Sequence, residues 1–304
     1  VIHAVAALVL AIGEAAWSAA PPLKVARAAH AVVATPTAIY ALGGTGASGT
    51  PVLEVERFDG KSWTIVAKLP EEGLNAPTAA AIGERIYLIG GFGTTSNVPV
   101  ADVRVLDAAK LAWSAAAPLP RPRGGHAAAV LDGRIHVIGG GNSQSTIADH
   151  SVLDVASGSW KELAPLPRSM GSPAAVVHDG VLYSVGGRSG AGDLGDVYRY
   201  DAKADRWEPC PSIEPRGTAG AVSFDGAICL FGGESQAHEA TTAEALRWIP
   251  GTKEWKPLPS MPTARNFARA VVLDGAVYVV GGSRAAGSSH ASEGCDVVER
   301  FGPK

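Results

Sequence analysis

Apolar residues along this chain gather in short runs, and each run is broken by a turn signal rather than spaced at a helical period. Residues 123–167 show the unit most plainly. After Arg123-Gly124-Gly125 comes HAAAVL, then Asp132-Gly133, then RIHVIGG. A polar loop leads to HSVLDV, the turn ASGS and WKEL, and Pro165-Leu166-Pro167 closes the unit. Asp-Gly between two apolar runs marks a two-residue hairpin, because both turn positions need positive φ. It recurs at Asp179-Gly180, Asp225-Gly226 and Asp274-Gly275. The unit therefore reads as four short antiparallel strands without a helix.

The unit repeats along the chain. Paired glycines stand at Gly43-Gly44, Gly90-Gly91, Gly139-Gly140, Gly186-Gly187, Gly232-Gly233 and Gly281-Gly282, with first members 47, 49, 47, 46 and 49 residues apart. Trp17, Trp63, Trp113, Trp160, Trp207 and Trp255 recur in step. A period of this size signals an array of one supersecondary unit, and four strands per unit in six units predict an all-β, six-bladed β-propeller. The glycine pair ends the second strand, where a bare backbone permits close approach, and the tryptophan fills the wedge between blades. The last repeat supplies three strands (ARAVVL, AVYVVGG, CDVVERF) before Lys304, and Ala16-Trp17-Ser18-Ala19 supplies the missing fourth. An N-terminal strand is thus expected to close the ring.

Composition narrows the function classes. With 46% hydrophobic and 18% charged residues, the chain of 304 residues is globular, and a net charge of -3 gives no reason to expect nucleic acid. Cys210, Cys229 and Cys295 fall in three different repeats, which suits small buried hydrophobes better than a disulfide framework or a zinc site. The first twelve residues, VIHAVAALVLAI, are too short to span a membrane as a helix. Followed by Gly13 and Ala15, they match the apolar core of a secretory signal. Residues 1–13 are read as that remnant or as an N-terminal extension, and 14–304 as the propeller. The protein is expected to be secreted or periplasmic, with a cytoplasmic chain as the alternative, and to be a monomer.

Arg, apolar strand, turn, apolar strand to Gly-Gly, an aromatic-Asp pair, Trp and a Pro-rich exit form a pattern that resembles the Kelch-repeat family. RYDAKADRW at 199–207 and RFDGKSW at 57–63 carry it clearly. The resemblance implies the propeller fold for about residues 14–304. Its members range from protein-interaction modules to sugar-active enzymes, so the site needs its own argument.

The long loops between second and third strands (45–53, 92–101, 141–150, 188–195, 234–243 and 283–294) lie on one face, together with the crossings between blades. Binding residues concentrate on such loops. Sixteen residues before each glycine pair stand Arg27, Leu74, Arg123, Met170, Arg216 and Arg265, at the entry to the innermost strand. Four arginines there would ring the mouth of the central channel. They suit a carboxylate, a phosphate or an acidic peptide, or bond loop carbonyls in a purely structural role. Arg121 and Arg168 lie two residues earlier in their blades, and Arg188 opens the loop 188–195. His30 and His126 follow the arginines by three residues but form no metal cluster. Gly44-Thr-Gly-Ala-Ser-Gly49 spells a dinucleotide-binding pattern but opens no helix, and the helix terminus does the phosphate binding.

The expected function is a non-enzymatic binding protein whose loop face takes a protein or an anionic glycan. The alternative is a sugar-acid epimerase resembling the periplasmic Kelch-type N-acetylneuraminate epimerases. Their pattern places a Glu after a glycine pair, then Pro-Gly and an Arg. Here Glu234 follows Gly232-Gly233, but SQAHEA replaces the rest and Ala240 stands where the Arg is expected. A catalytic Glu234 of this kind would tolerate Gln with little change in melting temperature. The copper chemistry of the galactose oxidase propeller needs a Tyr–Cys crosslink and a Tyr-His pair, which the sequence lacks, so no metal or cofactor is expected.

Overall fold

The computed structural model describes residues 15–70, 72–287 and 293–303, and the export-signal reading of residues 1–13 lies outside them. The described residues form six four-stranded antiparallel sheets and three two-stranded ribbons, without an α-helix. No helix among them is long and apolar enough to cross a membrane. Five of the six blades run from an inner strand to an outer one in chain order, as in Ala127–Leu131, Arg134–Ile138, His150–Asp154 and Ser159–Leu163. The Asp-Gly hairpins have the expected geometry, with φ of 50° at Asp132 and 71° at Gly133. The inner strands touch their neighbours in a complete ring from Ala31–Ala34 round to Arg269–Leu273.

The last blade closes as the sequence predicts. Ala16–Ala19 pairs antiparallel with Val298–Gly302, with Trp17 opposite Phe301. The first strand of the described chain thereby becomes the outer strand of the sheet that ends it.

The hydrophobic core is divided among the blade junctions. One cluster packs Tyr40 and Leu42 of the first blade against Ile86 and Leu88 of the second, and an equivalent cluster lies at each further junction, including that between the last blade and the first. Two polar devices recur at every junction. The second glycine of each pair donates its N–H to a carbonyl at the entry of the next blade: Gly91 to Arg123 at 2.9 Å, Gly140 to Met170 at 2.9 Å, Gly282 to Arg27 at 2.9 Å. Gly90 and Gly91 have φ of 53° and 109°, and a Cβ on Gly90 would stand 2.6 Å from the Arg123 carbonyl oxygen. Only glycine meets both demands. At the outer end, each repeating tryptophan donates Nε1–H to the exit of the preceding blade. Trp113 reaches Lys68 at 2.8 Å, Trp160 reaches Ala117 at 2.9 Å, and Trp17 reaches Pro259 at 2.8 Å.

The Trp17 ring also meets Phe231 edge-on at 5.7 Å and Phe301 at 5.0 Å. Trp17→Ala removes both contacts and the closing hydrogen bond, and is expected to cost about 3 kcal/mol in urea unfolding. Trp17→Phe keeps most ring contact and should cost about 1 kcal/mol, the worth of the lost hydrogen bond. Unchanged unfolding of Trp17→Ala would show that the first strand does not hold the ring.

Candidate binding face around the channel mouth

The four arginines at the strand entries do not form an exposed ring of donors. Arg27, Arg123 and Arg265 are fully buried and Arg216 nearly so, and each guanidinium turns back into its own blade. Arg27 Nη2 meets Glu56 Oε1 at 2.6 Å, with neither side chain exposed. Arg123 donates to Ser151 Oγ at 3.0 Å and lies 3.6 Å from Asp149, Arg216 pairs with Glu244, and Arg265 meets Glu299 at 2.9 Å. The reason is strand register. Val279, in the second strand of the last blade, stands opposite Glu299 in the third, so an entry arginine reaching across its sheet finds an acceptor. Burying such a charge is costly unless it is paired, and here the pairing is internal. Where the entry residue is Leu74 or Met170, the equivalent third-strand positions carry Arg104 and Tyr198 instead.

His30 and His126 are also buried. A Cβ on Gly281, in the preceding blade, would lie 2.6 Å from the His30 ring, and one on Gly90 would lie 2.8 Å from that of His126. The imidazoles therefore fill the space the glycines leave open. Burial pushes His126 down to about 3, with the charges of Arg123 and Arg269 adding to it, and lowers His30 well below its usual value for the same first reason, with Arg27 and Arg269 adding. Neither is placed to exchange a proton with a ligand at neutral pH.

Two residues beyond each entry position the backbone turns left-handed, at Ala29, Ala76, Gly125, Ser172, Thr218 and Phe267, with φ from 48° to 62°. These residues hydrogen bond to one another around the axis: Ala76 N to Ala29 O at 2.7 Å, Gly125 to Ala76 at 2.8 Å, Ser172 to Gly125 at 2.6 Å, Thr218 to Ser172 at 3.3 Å and Phe267 to Thr218 at 3.1 Å. Phe267 packs against Ala29 and Ala76, with Phe92 beside them. A backbone iris with an aromatic plug thus narrows the channel on the loop face.

The structure brings Arg188 and Glu234 together at the edge of this iris. Each follows its glycine pair and bridges to the strand entry of its own blade, Arg188 to Gly171 and Glu234 to Gly217. Glu234 is fully buried, pairs with Arg188, and accepts from Asn266 Nδ2 and from Gly287 N at 2.9 Å. The guanidinium of Arg188 stands 5.8 Å from the centre of the Phe267 ring and 3.8 Å from Asp193, whose carboxyl burial pushes up. The arginine beside Glu234 therefore comes from the preceding blade, forty-six residues earlier, whereas Ala240 is exposed in a two-residue ribbon strand. Arg121 and Arg168 remain at the surface, paired with Asp149 and Asp196.

Residues 7–172 match the family model for the KLHDC2/KLHL20/DRC7 Kelch-repeats domain, and residues 170–213 match the Kelch motif. The chain belongs to the Kelch-repeat family. It is 32% identical to Kelch-like protein 25 of Xenopus tropicalis over 232 residues, which covers 70% of this chain and 38% of the relative. Alpha-scruin of Limulus polyphemus is 33% identical over 129 residues, 41% of this chain and 14% of its own. The chain thus spans well under half the length of these relatives. A solved structure titled "Structure of YjhT" superposes with a TM-score of 0.78 at 15% identity, covering 92% of this chain and 96% of that one. At that identity the match speaks for the Kelch fold alone.

Sequence reasoning missed two features of this Kelch propeller. The iris was hidden because its six residues share a dihedral, not a residue type. A second pair of histidines, His136 and His150, also escaped notice. Their rings share a hydrogen bond of 2.9 Å between Nδ1 and Nε2 beside Tyr200, which needs one imidazole to be an acceptor.

Two predictions follow from this packing. Glu234→Gln takes from Arg188 the closer of its two buried counter-charges and leaves only Asp193 at 3.8 Å, so it should lower the melting temperature by several degrees, against the near-silent change a catalytic role alone implies. An imidazole held neutral by burial binds its proton more readily once unfolded. Its contribution is complete above the unfolded value of 6.5 and is lost as pH falls toward the folded one. Those folded values are about 3 for His126, about 4 for His136 and about 3 for His150. The urea midpoint should therefore fall steadily from pH 6.5 to pH 4, and less steeply in His136→Leu/His150→Leu. A flat midpoint across that window would contradict the neutral buried pair.

Proposed function

We propose that the protein is a non-enzymatic binding module that recognises a protein partner with the loop face of its Kelch propeller. One observation carries this reading: apart from the open flank of Arg188, the acidic and basic groups at the channel mouth are paired or buried. Glu234 has three donors, the entry arginines have acceptors within their blades, and His30 and His126 are buried. An iris narrows the mouth itself. What a partner meets is the surrounding loops, exposed at Ser96–Val98, Ser143–Ser145 and Gln236–Glu239, with Val98 an exposed apolar anchor. Rigid scaffolds carrying variable loops suit macromolecular recognition. The Kelch-like relatives support a protein as the partner.

Arg188, about a fifth exposed and stacked toward Phe267, favours an anionic group on whatever docks over the mouth. An anionic glycan would offer the same group, and a sugar-acid epimerase centred on Glu234 is the competing reading. Export is part of the proposal, supported by the apolar pattern of the first twelve residues, and so is a monomeric state.

The test compares partner capture by the wild type and by surface variants on both faces. Val98→Asp with Arg284→Glu alters the loop face, and Ile249→Asp alters the opposite one, where third strands turn into fourth. Affinity should fall at least tenfold for the first and hold for the second, with equal melting temperatures. Equal binding by all three proteins, or epimerisation of a sugar acid by the wild type, would overturn the reading.

A further inference from the structure

Beneath the iris, one aligned position of each inner strand lines the channel, and five of these six residues are small. Four residues beyond each strand entry the inner strands carry Ala31, Thr78, Ala127, Ala174, Gly220 and Arg269. These residues line a cavity of about 100 Å³. Arg269 is the one acidic or basic chain in its wall apart from the buried, neutral imidazole of His126.

Its pairing differs from that of the entry arginines. Arg27, Arg123, Arg216 and Arg265 each face a carboxylate. Arg269 donates Nε–H to the His30 carbonyl at 3.2 Å, and among the described residues no carboxylate is in ion-pair contact with it. Protein surrounds it, yet part of its surface stays open to the cavity. Burial alone lowers its pKa to about 10, with no acidic neighbour acting against the shift. Its charge instead bears on His30 and His126, disfavouring a proton on either. The result is a guanidinium in the wall of a cavity that is lined by no carboxylate.

We propose that Arg269 holds a small monovalent anion in the central channel. Guanidinium matches a halide or a planar oxyanion such as nitrate or formate. The volume sets the size class. A water needs ~10–15 Å³ of such space, so the cavity takes one small anion with a few waters and excludes a sugar or a nucleotide. Charge at the opposite end sets the valence. The hairpin turns around that opening expose Asp132, Asp179, Asp225 and Asp274, which repel a multiply charged ion more strongly than a singly charged one. The iris separates this site from the loop face, so it is independent of the proposed partner surface.

The experiment is a thermal melt of the full chain in sodium chloride, nitrate and formate, each against sodium gluconate at equal ionic strength, because gluconate is too large for the cavity. The wild type should gain roughly 4 °C in the small anions at a hundredfold over the dissociation constant, with a saturable dependence. Arg269→Met should keep the fold and lose the anion-specific gain. A bromide soak of wild-type crystals should place an anomalous peak within hydrogen-bond distance of Arg269 Nη, a readout that does not depend on the variant folding. Equal melting in all four salts, retention of the gain by Arg269→Met, or no bromide at Arg269 would overturn the proposal.

Discussion

The architecture depends on a single backbone hydrogen bond repeated at each junction: the second glycine of a pair donating to the entry carbonyl of the next blade. It holds the innermost strand of one sheet against the inner end of its neighbour, and it sets the distance at which the junction cores pack. Side chains at the first glycine would strike that carbonyl, as the close approach at Gly90 shows. The tryptophan bond at the outer end is its counterpart, so each junction is pinned at two radii with a hydrophobic cluster between. An array of marginal four-stranded sheets becomes one cooperative body because no blade satisfies its own polar groups alone.

The same geometry decides what is left for recognition. Entry carbonyls are committed to the neighbouring blade, and entry arginines to acceptors in or immediately before the third strand of their own. The loop face consequently separates into a rigid inner ring and a variable outer set of loops. Arg188 and Glu234 sit on the boundary. They tie the ribbons of two blades to Asn266 of a third, which fixes the loops relative to one another, and the open flank of Arg188 remains available above Phe267.

The fold was legible because its determinants are local. Gly-Gly, Asp-Gly and Trp each report a dihedral or a packing demand within a few residues, and the stray strand at Ala16–Ala19 completed the count. The site was less legible because its determinants are not. Arg27 and Glu56 stand 29 residues apart, and Arg265 and Glu299 stand 34 apart, since loops of different length intervene. A four-arginine ring therefore looked open in a sequence that held its acceptors at irregular offsets. Glu234 was singled out for a partner expected at position 240, while the real one came from the previous blade. Arg269 did leave a signal: it is the one charged residue in a column of Ala, Thr and Gly, visible once the repeats are stacked by their entry positions.

The closing strand also orders events in time. Ala16–Ala19 is made before the other strands of the propeller and its partner Val298–Gly302 after them, so the last blade stays incomplete until the whole propeller has been synthesised. Until then the third strand's outer edge and the faces of Phe231 and Phe301 lack their cover. Among the described strand pairs this one has the longest sequence separation, so its closure carries the largest loop-closure entropy of the propeller. Vulnerability to proteolysis or strand exchange during biogenesis concentrates there, at the one blade whose strands come from both ends of the propeller.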